Sequence, residues 1–481
     1  MGGHLRIATS DGGAVELEEA VLSALASRFG GPLLRVGQEG YEAARHIWNG
    51  RVERRPALIA RCTSATDVQE VVRLARDHGL LLSIRGGGHN VGGTAVCEGG
   101  LMLDLSRMKG IEVDAKARRA RVAPGVRWKE LDAATQAHGL AAPGGQHSEV
   151  GVAGYTLGGG AGWLLRKHGL AIDSLRSVQI VTADGRSLRA SATEEPDLFW
   201  AVRGGGGNFG VVTELEFELH EIGPIVFAGL VVHPLARARE ALRFYREFTH
   251  GAPEEVESVA VLMTGPDGQK GVAFGLCHCS PQNGPQDGPQ DGPQCAAPAA
   301  LAPLLGFGPP AINMVQAMPY VMFQGMLDAL APAGHRYFNR SRFAKELSSN
   351  AIDAAIGRFA EAPSPGCTLF IHHLGGAMAR VPATATAFAH RDAQYCFIAE
   401  AGWQGSDADD AHCAWASRTM EALEPHTTGA AYVNDLGRAS DEGAAEMRAA
   451  YGSNYARLSE LKAKYDPTNL FSHNQNIPPA R

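Results

Sequence analysis

Between residues 85 and 93 the chain reads Arg85-Gly86-Gly87-Gly88-His89-Asn90-Val91-Gly92-Gly93. Five glycines in nine residues cannot sustain a helix or a well-packed strand, because glycine loses more backbone freedom on folding than any other residue. They do leave amide groups uncovered, so a bulky anionic group can approach the main chain more closely than a Cβ would allow. One imidazole, His89, sits inside this nest. Upstream, Val68, Val71, Val72, Leu74 and Ala75 recur at helical spacing between Asp67 and His78, with Thr63 or Ser64 as N-cap. Leu80-Leu81-Leu82-Ser83-Ile84 then reads as a buried strand. Helix, strand and glycine loop together describe a phosphate cradle carrying a reactive group.

Glycine crowds two further stretches. Val150-Gly-Val-Ala-Gly-Tyr155-Thr-Leu-Gly-Gly-Gly-Ala-Gly-Trp163 would be costly as an isolated element, and close packing against a large flat ligand would compensate. Residues 205–210 contain a formal G-x-G-x-x-G. A dinucleotide fingerprint should follow a strand and open a helix, whereas Val211 to His220 is itself strand-like, so a nicotinamide-cofactor Rossmann domain is demoted.

The same pattern reading organises the rest of the 481 residues. An amphipathic helix is expected over Val15–Phe29, then strands at Pro56–Thr63, Leu101–Leu105 and Ala120–Val122, a helix at Trp128–His138, and a strand at Leu175–Ala183 turning at Asp184-Gly185. From about 221 glycine thins out, which suggests a second domain. The Gly-Pro-Gln-Asp repeat at 284–294 reads as a disordered surface insertion without a catalytic part. His372 and His373 are adjacent on an expected strand, so at most one can face a given pocket. Glu400 is the odd charge in Tyr395-Cys-Phe-Ile-Ala-Glu-Ala-Gly-Trp403: either a buried functional carboxylate or an edge residue in water.

A net charge of −7 with no basic block argues against nucleic acid as a partner. No apolar run approaches the roughly 20 residues that span a bilayer, and the first residues lack a secretory pattern, so a cytoplasmic protein away from membranes is expected. The eight scattered cysteines fit reduced core thiols, and Cys277-His278-Cys279 with Cys295 lacks the two separated pairs of a structural zinc site, so no metal is expected.

Taken together, the R-G-G-G-H loop, Arg166-Lys-His-Gly-Leu-Ala-Ile-Asp173, the stretch Asp197-Leu-Phe-Trp-Ala-Val-Arg-Gly-Gly-Gly-Gly-Asn-Phe-Gly210, and the tail from Tyr451 to Pro479 resemble the berberine-bridge-enzyme-like branch of the vanillyl-alcohol-oxidase (PCMH-type) flavoproteins. The resemblance implies an α+β fold: an FAD-binding α+β domain at 38–220, a substrate-binding domain at 221–450 with an antiparallel sheet covered by helices, and a 451–481 segment returning to the first domain. A helical extension would occupy residues 1–37. It implies FAD bonded through a ring nitrogen of His89, with Arg85, Gly86, Gly87, Gly88, Asn90 and Gly92 around the pyrophosphate. Gly145, Val150, Gly151, Gly154, Gly158, Gly159, Gly160 and Asp173 would follow along the cofactor, and Gly210, Val212, Asn474 and Asn476 would complete its site. Asp104 would end a strand. Val150 would leave room for dioxygen, and Tyr155 would stand near the pyrimidine edge, either as a donor or as packing.

The chain departs from the family twice. Where many relatives carry a second linking cysteine it has His147, which implies a single tether, a more closed site, and a histidine that lines the pocket or is tolerated there. Where many carry Y-x-N-Y it has Tyr432-Val-Asn434-Asp435, leaving Asp435, Glu400, Tyr320, His372 and His373 as candidates for the base. The implied reaction is oxidation of an alcohol, sugar, amine or secondary metabolite with dioxygen as acceptor and hydrogen peroxide as product. A dehydrogenase or oxidative cyclase with another acceptor, and a non-catalytic nucleotide- or metal-binding protein, are the alternatives.

Overall fold

The computed structural model describes residues 4–279 and 297–481; the 284–294 repeat and Cys295 lie outside the described residues. Two bodies of sheet face one another across the glycine-rich segments. The first contains a four-stranded sheet in which Leu58–Arg61 and Leu82–Arg85 flank Leu101–Asp104 in parallel, with Leu33–Leu34 antiparallel at one edge. Parallel neighbours need a crossover, and the helix Ala65–Asp77 supplies it. Its Val68, Val71, Val72 and Ala75 are fully buried against that sheet. Ser64 caps it, accepting from Asp67 N–H at 3.2 Å while the Asp67 carboxylate accepts from Ser64 N–H. Asp104 ends its strand and pairs with Arg61 at 2.9 Å.

Beside it lies a five-stranded antiparallel sheet in the order Ser187–Ser191, Leu175–Val181, Val211–Glu218, Arg119–Val122, Ile111–Asp114. The strand after the 205–210 glycines therefore forms as expected, with no helix behind it. The final helix, Tyr455–Tyr465, buries Leu458, Leu461 and Tyr465 in the core under this sheet. Its Lys462, fully buried, pairs with Asp466 at 2.5 Å and donates to the carbonyls of Asn208 and Phe471.

The second body is an antiparallel sheet of eight strands whose order ends at Ile312–Asn313 on one side and Arg336–Ala344 on the other. Helices Ala238–Gly251, Ser349–Ala360 and Asp409–Leu423 cover one face, packing Tyr245, Phe359 and Trp415 against Leu369, Ile371 and Phe397. The opposite face turns toward the glycine segments.

One element differs from expectation. Residues 4–18 form a hairpin, His4–Ala8 paired with Ala14–Glu18, and the helix covers only Glu19–Ala26. Gly12, at φ +90°, makes the turn, and Val15 and Leu17 fall on alternate positions opposite Ile7 and Leu5. That two-residue period overlaps the three-to-four-residue period of the following helix, so a helical pattern fits both. Residues 4–37 are thus not purely helical.

Candidate active site

The glycine loop leaves the end of Leu82–Arg85 and meets the second glycine segment main chain to main chain. A Cβ on Gly87 would lie 2.5 Å from Gly151 Cα, and one on Gly151 would lie 2.6 Å from Gly87 N. Neither position can carry a side chain unless the backbone moves. These segments form one wall of a cavity of about 330 Å³. Gly86, Gly87, Gly88, His89 and Asn90 line it from the first loop, and Gly145, Val150, Gly151, Gly154 and Gly158 line it from the second. Gly210, Val212 and Asn474 also reach it.

Six residues expected at a cofactor do not line this cavity. The Arg85 guanidinium donates to the Ala44 carbonyl and borders a neighbouring recess that shares only Trp48, Gly87, His89 and Ala331 with the cavity. Asp173 pairs bidentately with the buried Arg391 at 2.7 and 2.8 Å and caps Leu170 N–H, which makes it a packing anchor. Gly92 is pressed against Gly437, where a Cβ would come within 2.3 Å of Cα. Gly159 packs on Tyr432, and Gly160 N–H donates to the Tyr432 hydroxyl at 2.9 Å. Asn476 is absent from the lining, and its Oδ1 is buried without a protein partner.

His89 is stacked on Trp48 at 4.3 Å between ring centroids, and Trp48 on Tyr337 at 3.9 Å. Burial, reinforced by His147 and Arg127, lowers the His89 pKa to about 3, so the ring is neutral and a nitrogen lone pair is available. His147 lines the same cavity and is likewise held neutral by burial. Tying the loop to the second body is Asn49, 1% exposed. It donates to the carbonyls of Val91 and Tyr337 and accepts from Tyr337 N–H.

The opposite wall follows from strand register. Residues paired across an antiparallel ladder share a face: Asn339 lies opposite Glu400, Phe343 opposite Cys396, Phe370 opposite Ile398, and His372 opposite Cys396. All of them line the cavity. His373 points the other way, where its Nε2 meets the Arg166 guanidinium at 2.8 Å, so it is no candidate base for this cavity. Tyr320 is likewise excluded: it is buried among Met318, Phe323 and Leu327, away from the lining.

Glu400 is therefore neither at an edge nor in bulk water. It and Asp435 are partly buried and line the cavity, and burial pushes both carboxyls up to about 7. The Glu400 charge adds to the rise at Asp435. Asn339 Nδ2 approaches Glu400 at 3.4 Å, and Asp435 Oδ2 has no protein partner. Asp435 arrives on the short helical turn Val433–Asp435. The Tyr155 hydroxyl donates to the Ala161 carbonyl at 2.7 Å, which commits its proton to the backbone.

Trp48, Asn49 and Asn339 carried no motif in the sequence. The alternation along Arg336–Ala344, an Asn amid buried positions, was the one available signal for Asn339.

Does this cavity suit FAD? Gly154 has no protein atom within 4 Å of where its Cβ would be, although its helix Val152–Leu157 is otherwise packed. Asn474 keeps a buried Oδ1 without a protein partner. A wall stripped of side chains, an unmet acceptor and uncovered loop amides fit a flat ring system joined to a pyrophosphate. Cys277 and Cys279 are buried apart from it, and no group of metal-ligating side chains occurs among the described residues.

Fold and cavity thus define a flavin-linked oxidoreductase, and comparison with known proteins agrees. Residues 56–191 match the "FAD binding domain" family and residues 431–478 the "Berberine and berberine like" family. The chain is 32% identical over 468 residues to (R)-6-hydroxynicotine oxidase of Paenarthrobacter nicotinovorans, covering 93% of this chain and 97% of the relative. It is 31% identical over 455 residues to an FAD-linked oxidoreductase of Dictyostelium discoideum, covering 93% and 95%. The crystal structure of 6-hydroxy-D-nicotine oxidase from Arthrobacter nicotinovorans superposes with a TM-score of 0.83 at 30% identity, covering 94% and 98%. The chain belongs to the berberine-bridge-enzyme-like family of FAD-linked oxidoreductases, enzymes that oxidise small molecules with the vanillyl-alcohol-oxidase-type α+β fold. With that, the non-catalytic alternative falls. No helix among the described residues is long and apolar enough to cross a membrane.

Proposed function

We propose that the protein is an oxidase whose FAD is fastened covalently at a single point, a ring nitrogen of His89, and whose substrate is a small-molecule alcohol, sugar, amine or secondary metabolite. The observation that carries this reading is a neutral imidazole on the glycine loop, in the same cavity as two carboxyls whose pKa values lie near 7. FAD held there would supply the two-electron acceptor for a hydride from the substrate carbon, with dioxygen as final acceptor and hydrogen peroxide as product.

The chain's own residues do the rest. The glycine loop amides receive the pyrophosphate, Val150 leaves space for dioxygen, and the Trp48 ring fixes the plane of the His89 imidazole. His147 makes no second bond. Removal of the substrate's hydroxyl or amine proton falls to Glu400 and Asp435, which titrate as a coupled pair; a carboxyl poised near pH 7 can accept and release a proton without a large penalty. In this division of labour residues 38–220 and 451–481 hold the cofactor, and residues 221–450 bring the substrate wall.

Oxygen uptake with a peroxide assay tests the acceptor. The oxidase reading expects one peroxide per substrate oxidised. Turnover that proceeds only with an artificial dye would establish the dehydrogenase alternative instead.

A further inference from the structure

The wall that carries Glu400 is chemically one-sided. Among the described residues lining the cavity there is no arginine or lysine. Glu400 has a single weak contact, Asn339 Nδ2 at 3.4 Å, and Asp435 Oδ2 has none. Asn339, 9% exposed, also keeps its Oδ1 buried and without a partner. The buried atoms left without a partner on this wall are thus acceptors, Asn339 Oδ1 and Asp435 Oδ2, and the Glu400 charge acts on the Asp435 carboxyl. The His372 imidazole on the same sheet face adds no positive charge, since burial lowers its pKa to about 4. Apolar rings complete the enclosure: Phe343, Phe370, Phe388 and Tyr432.

We infer that this wall selects a compact amine, positively charged at neutral pH and carried on an apolar or aromatic body. This rests on the oxidase reading and names the substrate class of the same site. An ammonium offers two or more N–H donors to the unpartnered Asn339 and Asp435 oxygens and the weakly bonded Glu400 carboxyl, and its charge stabilises the ionised form of the carboxyl pair. The surrounding ring faces favour a cation over a neutral group. A neutral alcohol brings one donor and no charge, and an anionic substrate would meet the carboxyls with nothing to offset the repulsion. Once docked, the ammonium gives one proton to the pair, leaving a neutral amine with the lone pair that loss of hydride from the adjacent carbon requires.

The test uses the holoenzyme under anaerobic conditions at pH 7.5, with N-methylbenzylamine and its neutral isostere benzyl methyl ether as probes and the flavin absorbance as readout. The amine is expected to bind at least about tenfold tighter than the ether. Asp435→Asn combined with Glu400→Gln should remove that preference, weakening the amine and leaving the ether where it was. Equal affinities in the wild type would overturn the inference, as would an amine-induced spectral change absent up to roughly 10 mM; the wild-type comparison decides even if the double variant does not fold. A yellow protein that favours the ether loses only the amine assignment, whereas a colourless one loses the flavin reading beneath it.

Discussion

Replacing Glu400 with Gln should make the protein more stable at alkaline pH while crippling it as an enzyme. Burial raises this carboxyl from 4.5 to about 7, so the folded protein holds the proton more tightly than the unfolded chain does. Near pH 4 both states are protonated and the group costs nothing. As pH rises through the unfolded value the unfolded chain ionises first, stability falls, and the loss levels off once pH passes about 7. At about 1.4 kcal/mol per pH unit, the gap corresponds to an upper bound of about 3 kcal/mol. Glutamine has the same shape and no charge to bury, so Glu400→Gln should match the wild type near pH 4.5 and exceed it by about 1–3 kcal/mol at pH 8.5. Guanidinium unfolding of both holoproteins at the two pH values measures the difference directly. Over the same range kcat/KM should fall at least about tenfold. The remaining acid-limb midpoint should move below 7, because Asp435 no longer feels a neighbouring charge. A stability gap that does not change with pH, or a variant less stable at pH 8.5, would refute a Glu400 buried without a cation.

Asn49→Ala would strand the buried Tyr337 amide and carbonyl and should cost about 2–5 kcal/mol, read as a lowered unfolding midpoint. Arg391→Met leaves Asp173 as an uncompensated charge, 10% exposed at its side chain, and should cost about 3–5 kcal/mol by the same measurement. Two glycine variants should separate fold from cofactor. Gly151→Ala drives a methyl into the Gly87 main chain and should lose about 1–3 kcal/mol even without flavin. Gly154→Ala meets no protein atom and should keep apoprotein stability while lowering flavin content per mole, measured from the ratio of visible to ultraviolet absorbance.

What could be read from the sequence was local. The glycine loop, its capped helix and the strand after residue 210 follow from composition and spacing within a few residues of each position, and alternation alone required His372 and His373 to face apart. What could not be read was convergence. Nothing near Asp435 says that it shares a cavity with Glu400, because a turn and a strand from separate parts of the chain are joined only by packing. Asp173 shows the converse: a motif match put it at the cofactor, whereas Arg391, far along the chain, claims it as an ion pair. Trp48 lies between neighbours of ordinary composition, and only the folded stack on His89 marks it. The N-terminal hairpin was hidden because two periods overlapped over a few residues.

Acid precipitation of the purified holoprotein beside its His89→Ala variant tests whether the flavin is fastened at His89. The wild type should give a yellow pellet, and the variant a colourless pellet with yellow supernatant. Flavin released from the wild type, or flavin retained in the variant's pellet, would contradict a single attachment at His89.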